Sequence, residues 1–219
     1  MTLELYAHPF ASYCQKVLVA LYENGTSFRY KMLDGETPEN FAELTRLWPL
    51  RKFPVLVDDG QAVIETSVII EHLALNHPGP IELIPSDPKR ALDVRFMDRF
   101  FDNYVMTAMQ KPVSESLRAE GACKEVAMAE ARQELETAYG WLETRLGGRT
   151  WAAGESFTMA DCAAAPSLFY ADWVHQIGRG FPRLREYRSR LLARPSFARA
   201  VEEARPYRPL FPLGAPDRD

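Results

Sequence analysis

The sequence predicts an α/β N-terminal domain, a mixed four-stranded sheet in the order βαβαββα, followed by an all-helical C-terminal domain. Three observations predict it. Strand and helix signals alternate as far as Asn76. A proline-rich stretch, His77-Pro78-Gly79-Pro80 to Pro85-Ser86-Asp87-Pro88, then interrupts the pattern. Beyond it only the helical period remains.

Leu3-Glu4-Leu5-Tyr6-Ala7 is a short strand that stops at Pro9. Cys14, Val17, Leu18 and Leu21 are spaced by three, four and seven from Cys14, the mark of one helix face, and Asn24-Gly25 ends that helix. Ser27 to Met32 is a second strand. Pro38 to Leu47 is helical, with Pro38 in its first turn. Phe53 to Val57 is a third strand, and Asp58-Asp59-Gly60 turns it into a fourth, Gln61 to Ile64. Thr66 caps a helix running through Asn76. A helix joins the first two strands, so they can run parallel; a tight turn joins the last two, so they must be antiparallel. Residues 1–78 thus form one domain, 79–87 a linker and 88–219 a helical domain. Its expected helices are Lys89 to Met109, Glu125 to Leu146, Thr158 to His175, Pro182 to Leu192 and Pro195 to Ala204, with an irregular tail after Pro206.

Composition narrows the function classes. The net charge of −4 lacks the basic footprint of a nucleic-acid binder. No apolar run is long enough to cross a bilayer, and the opening Met1-Thr2-Leu3-Glu4-Leu5-Tyr6 lacks the basic start and apolar stretch of a secretory signal. Cys14, Cys123 and Cys162 are an odd, widely spaced set, which suits a reducing cytoplasm and argues against a disulfide framework or a zinc site. No metal is expected.

Four segments stand out: Pro9-Phe10-Ala11-Ser12-Tyr13-Cys14-Gln15-Lys16-Val17 at the first helix start, Trp48-Pro49-Leu50-Arg51-Lys52-Phe53-Pro54-Val55-Leu56, Glu65-Thr66-Ser67 after the fourth strand, and Gly154-Glu155-Ser156-Phe157-Thr158-Met159-Ala160-Asp161 in the helical half. In this order and at these separations they resemble the soluble glutathione transferase superfamily, bacterial members in particular. The resemblance covers nearly the whole chain except the C-terminal tail. It implies a thioredoxin-like N-terminal domain, a helical C-terminal domain, a homodimer, and glutathione as co-substrate.

The resemblance also assigns roles. It implies a cis bond before Pro54, which turns the backbone of Phe53 toward the cysteinyl part of glutathione, held like an added strand. Glu65 pairs with the ligand's α-ammonium, and Thr66 with the helix N-terminus holds its α-carboxylate. Lys52 pairs with the glycyl carboxylate or is simply a surface lysine. Thr158 to Asp161 is a capping box with a structural role.

At the catalytic position the sequence departs from the family. The usual serine or cysteine stands three residues before Cys14, and here that residue is Ala11, with Ser12 following. Ser12 has two readings. With Gln15 it makes a capping box, or it donates to the glutathione sulfur as the catalytic hydroxyl, lowering the thiol pKa together with the helix dipole. Cys14 sits on the apolar face. Tyr6 is one residue from the strand-end position of tyrosine-type transferases and so points to the opposite side of the sheet. His8 is a capping or thiolate-facing residue. The electrophile is expected between the first helix start and the long helix after Pro88, against Phe10, Tyr13, Tyr104 and Met109, with Phe101, Val105, Tyr170 and Trp173 as further candidates; all of these are also ordinary packing residues. The resulting expectation is an enzyme that activates glutathione for attack on a small hydrophobic electrophile. A glutathione-dependent isomerase of maleylacetoacetate type and a non-catalytic glutathione or ligand carrier remain alternatives.

Overall fold

The computed structural model describes residues 3–118 and 123–219. The N-terminal part contains β1 (Leu3–Ala7), α1 (Ser12–Glu23), β2 (Arg29–Met32), α2 (Pro38–Leu47), β3 (Val55–Asp58), β4 (Gln61–Ile64) and α3 (Thr66–Asn76). The sheet order is β2-β1-β3-β4, with β1 parallel to β2 and antiparallel to β3, and β3 antiparallel to β4. This is the predicted thioredoxin-like arrangement. Asp59 and Gly60, with φ of 45° and 86°, make the two-residue turn between β3 and β4, where two positive φ values match strand twist.

Side-chain alternation builds the layers. Leu3, Leu5 and Ala7 face α1 and α3, packing with Cys14, Leu18, Ile69 and Leu73. Tyr6, between them, faces α2 with Leu44, Val55 and Val57. A one-residue step reverses the face of a strand residue, which is why Tyr6 lies away from the site described below. Leu18 is fully buried, and truncating such a leucine to alanine typically costs about 2–5 kcal/mol.

The C-terminal part contains α4 (Pro88–Phe100), α5 (Thr107–Ser116), α6 (Lys124–Arg145), α7 (Met159–Val174), α8 (Pro182–Leu192) and α9 (Pro195–Ala204). Every residue of α7 except Trp173 is buried, so α7 is the central post, with α1, α4, α5, α6 and α8 packed on it. The Lys89 to Met109 segment departs from expectation. Residues Phe101–Met106 form a π-helical stretch between α4 and α5, and the helical path continues to Ser116 despite Pro112. The tail is also more ordered than expected, since Arg205–Leu210 is a 3₁₀ helix.

Candidate functional site

A cavity of about 710 Å³ opens between the N-terminal sheet edge and the helical half. Four chain segments supply most of its lining, and Tyr170 of α7 with Leu210, Phe211 and Pro212 of the tail supplies the rest. The start of α1 supplies Phe10, Ala11, Ser12 and Tyr13. The approach to β3 supplies Arg51, Lys52, Phe53 and Pro54, the β4–α3 junction supplies Ile64, Glu65 and Thr66, and the helical wall supplies Arg99, Asp102, Asn103, Met109 and Val113. Of the predicted site residues, Ser12, Lys52, Phe53, Pro54, Glu65, Thr66, Phe10, Tyr13 and Met109 all line this one space.

Tyr104 does not. It is 59% exposed on the outer side of the helix, 5.3 Å between ring centroids from Phe100. The π stretch is the reason: its wider turn puts Asp102 and Asn103 on the cavity wall and rotates Tyr104 outward. Phe101 and Val105 are fully buried in the helical core, and Trp173 packs against Phe169 and Phe211 rather than lining the cavity. Tyr170 does line it.

The two helix starts at the cavity differ from expectation in the same way. Ala11, not Ser12, occupies the N-cap of α1, and the helix has no side-chain cap. Gln15 does not reach back to Ser12; its amide donates to the Pro9 carbonyl (3.0 Å) and to the Tyr170 hydroxyl (3.2 Å). Tyr170 in turn donates to the Phe10 carbonyl at 2.7 Å. Thus α7 pins the loop that opens α1. Likewise Glu65, not Thr66, is the N-cap of α3, again with no side-chain cap. Glu65 has φ 70° and ψ 121°, a region costly for a non-glycine residue, and Arg51 on the facing loop has φ 55°. The Phe53–Pro54 bond is cis.

Beneath the cavity lies a charged network that the sequence reading missed. Lys16 is only 1% exposed and pairs with Asp98 and Asp102, both at 2.7 Å, while donating to the Ser67 hydroxyl at 3.0 Å. Ser67 donates to Asp98 at 2.6 Å, and Arg99 reaches Asp98, Asp102 and Ser67. The network ties α1, α3, α4 and the π stretch together beside Glu65 and Thr66. One oxygen of Asp102, Oδ1, is buried without a hydrogen-bond partner among the described residues. A lysine on the otherwise apolar face of α1 and two aspartates four residues apart were the available signals.

The remaining candidates are accounted for. Cys14 is fully buried, and burial pushes its thiol up to about 12, so it is not a nucleophile near neutral pH. Burial likewise raises Tyr13 to about 12, with Asp102 adding to the effect, so its hydroxyl stays protonated. His8 accepts the Phe10 N–H at Nδ1 (3.2 Å), and burial lowers its pKa. It is a capping residue of the loop. Asp161 accepts from the backbone of Thr158 and Ala152, both at 2.9 Å, and from the Tyr187 hydroxyl at 2.6 Å, closing the capping box of α7 far from the cavity.

A thioredoxin-like domain with an uncapped, cavity-lining first helix, joined to a helical domain, defines the transferase fold. Comparison with known proteins agrees. Residues 5–81 match the family model of the glutathione S-transferase N-terminal domain, and residues 125–190 that of the C-terminal domain. A solved glutathione S-transferase of Methylobacterium radiotolerans, in complex with glutathione sulfonate, is 31% identical over 92% of this chain and 95% of its own, with a TM-score of 0.76. The chain belongs to the glutathione S-transferase superfamily. Glutathione transferase GST 23 of Zea mays is 30% identical over 66% of this chain, and the match spans 61% of the maize protein. FtsZ-localized protein A of Caulobacter vibrioides is 30% identical over 71% of this chain and 72% of its own. Among the described residues no helix is long and apolar enough to cross a membrane.

Proposed function

We propose that this chain is a cytoplasmic, homodimeric glutathione transferase of the bacterial kind. Residues 1–78 bind glutathione, and residues 88–219, joined through 79–87, supply the second-substrate wall. The observation that carries the proposal is the convergence of Lys52, Phe53, Pro54, Glu65, Thr66 and the start of α1 on one cavity. Glutathione lies along the sheet edge. Its glycyl carboxylate meets Lys52, its cysteinyl backbone meets the main chain of Phe53, and its α-carboxylate meets Thr66 and the free N–H groups of α3. Its α-ammonium is received by Glu65, helped by the unpartnered oxygen of Asp102. The sulfur then sits at the start of α1. There the helix dipole and a hydrogen bond from Ser12 stabilise the thiolate. Phe10, Tyr13 and Met109 offer an apolar wall for a small electrophile. The partly exposed rings of Phe96, Tyr104 and Trp141 on α4, the π stretch and α6 supply the dimer face.

Titrating the thiol of bound glutathione by ultraviolet absorbance tests this. A thiol pKa about two units below that of the free tripeptide supports activation. A bound but unshifted thiol points to the second reading, a carrier of glutathione or a conjugate. That reading is favoured by Ala11, which stands where the family places its hydroxyl or thiol.

A further inference from the structure

At the end of α3 remote from Glu65, three side chains converge that the proposed function does not use. Asp58 closes β3 just before the turn, His72 lies one turn before the end of α3, and His77 is its C-cap. Five residues apart, the two histidines would not share a face of a continuing helix. His77 has left the helix (φ −134°, ψ 53°), and this brings its ring to 6.1 Å from that of His72. Nε2 of His72 and Nε2 of His77 approach the same oxygen, Oδ2 of Asp58, at 2.8 and 2.7 Å. One ligand atom from each residue lies within 4.8 Å of the other two, and among the described residues no other group of histidine, cysteine and carboxylate does this.

We propose that Asp58, His72 and His77 form a site for a divalent transition-metal ion, with zinc the best chemical match. Two imidazoles and a carboxylate are the donor set of zinc and its neighbours rather than of magnesium or calcium, and three protein ligands leave a fourth position for water. A tetrahedral ion with bonds of about 2.0–2.1 Å needs its ligands about 3.3 Å apart. The nitrogen–oxygen gaps must therefore open by roughly half an ångström. The side chains are 14–21% exposed, which leaves both room for that movement and an entry path. A second contact orients the ring: Nδ1 of His72 lies 3.2 Å from the Asn76 side-chain amide. The same amide nitrogen donates to the His72 carbonyl at 3.0 Å, so Asn76 holds the ring in place against its own turn of helix. The ion would clamp the β3–β4 hairpin to the C-terminus of α3. This departs from the metal-free expectation, which rested on cysteine spacing alone, and it stands independently of glutathione binding.

The test uses the full chain, stripped with a chelator, and the metals themselves. Titration with cobalt(II) is expected to give visible d–d bands of a four- or five-coordinate ion saturating at one equivalent, and zinc(II) should displace them. Asp58→Asn and His77→Asn should each weaken zinc binding at least 30-fold. His175→Asn, which removes an ordinary histidine–glutamate contact with Glu136 (2.7 Å), should leave it unchanged. Because a ligand variant may lose its fold, the wild-type chain provides a second readout. The sequence has four histidines. Zinc should shift the ring signals of His72 and His77 in proton NMR and leave those of His8 and His175 in place. Absence of cobalt bands, binding that survives Asp58→Asn, or shifts confined to His8 or His175 would overturn the proposal.

Discussion

Helices α1 and α7 begin with similar sequence signals and end up doing opposite things. Ser12-Tyr13-Cys14-Gln15 and Thr158-Met159-Ala160-Asp161 both have the spacing of a capping box. In α7 the box closes: Asp161 satisfies the Thr158 N–H, then goes on to Ala152 and Tyr187, all in the buried core. In α1 it stays open, because Gln15 is drawn to Pro9 and Tyr170 and the cap falls on Ala11. The difference shows where ligand chemistry can go. A helix start whose N–H groups are met by its own side chains is structural. One left open at a cavity wall presents its donors and its positive dipole end to an anion.

The comparison breaks first at α7. Asp161→Ala strands several buried donors at about 1–3 kcal/mol each, so unfolding by denaturant should show a loss of about 4 kcal/mol. The glutathione affinity of the protein that remains folded should not change. Thr158→Asn, which keeps a capping side chain, should cost far less. At the cavity the pattern reverses. Glu65→Ala should weaken glutathione binding about 10- to 100-fold, the worth of a charged hydrogen bond, measured by calorimetry. Its melting temperature should hardly move, since alanine keeps the Cβ and with it the backbone strain at φ 70°.

Ser12→Ala sharpens the comparison further. With the cap already on Ala11, stability should move by less than about 0.5 kcal/mol, as for a site with no cap to lose. The pKa of the bound thiol should rise by about one unit, the effect of losing one hydrogen bond to an anion. A stability loss of 1 kcal/mol or more, with an unmoved thiol, would mean that Ser12 caps the helix after all.

The smallest effect concerns the loop before α1. His8 has a pKa below its unfolded value of about 6.5, because burial disfavours its charged form. Its contribution is therefore present above pH 6.5 and is lost as pH falls through the folded-state pKa, when protonation also removes the acceptor for Phe10 N–H. Glutathione affinity should decline as pH falls below the ordinary histidine range, and His8→Gln, whose side-chain oxygen does not titrate, should flatten that decline.

The sequence made local structure legible where local chemistry decides it. Proline in the first turn marked α2, α8 and α9 to the residue, and Asp-Asp-Gly marked the β3–β4 turn. Two stretches that line the cavity were legible through the family pattern, within Trp48 to Leu56 and Glu65 to Ser67. What stayed hidden depends on partners distant in sequence. Gln15 chooses Tyr170, which is 155 residues away, over Ser12. Lys16 is buried because two carboxylates from the helical half enclose it. Arg99 stays half-exposed at the rim of that cluster, while Asp98 and Asp102 are buried beneath it. The π stretch is set by how Phe101, Val105 and Met106 fill the core, and α periodicity cannot foresee it.

A π turn holds one residue more than the α turn it replaces. Deleting Asn103 would let the coil tighten to α spacing with α4 and α5 still seated on α7. The same deletion within α6 would spin everything beyond it by about 100°. Phe101–Met106 is therefore the place where losing one residue would disturb the packing of α4 and α5 least while reshaping the cavity wall beside Met109.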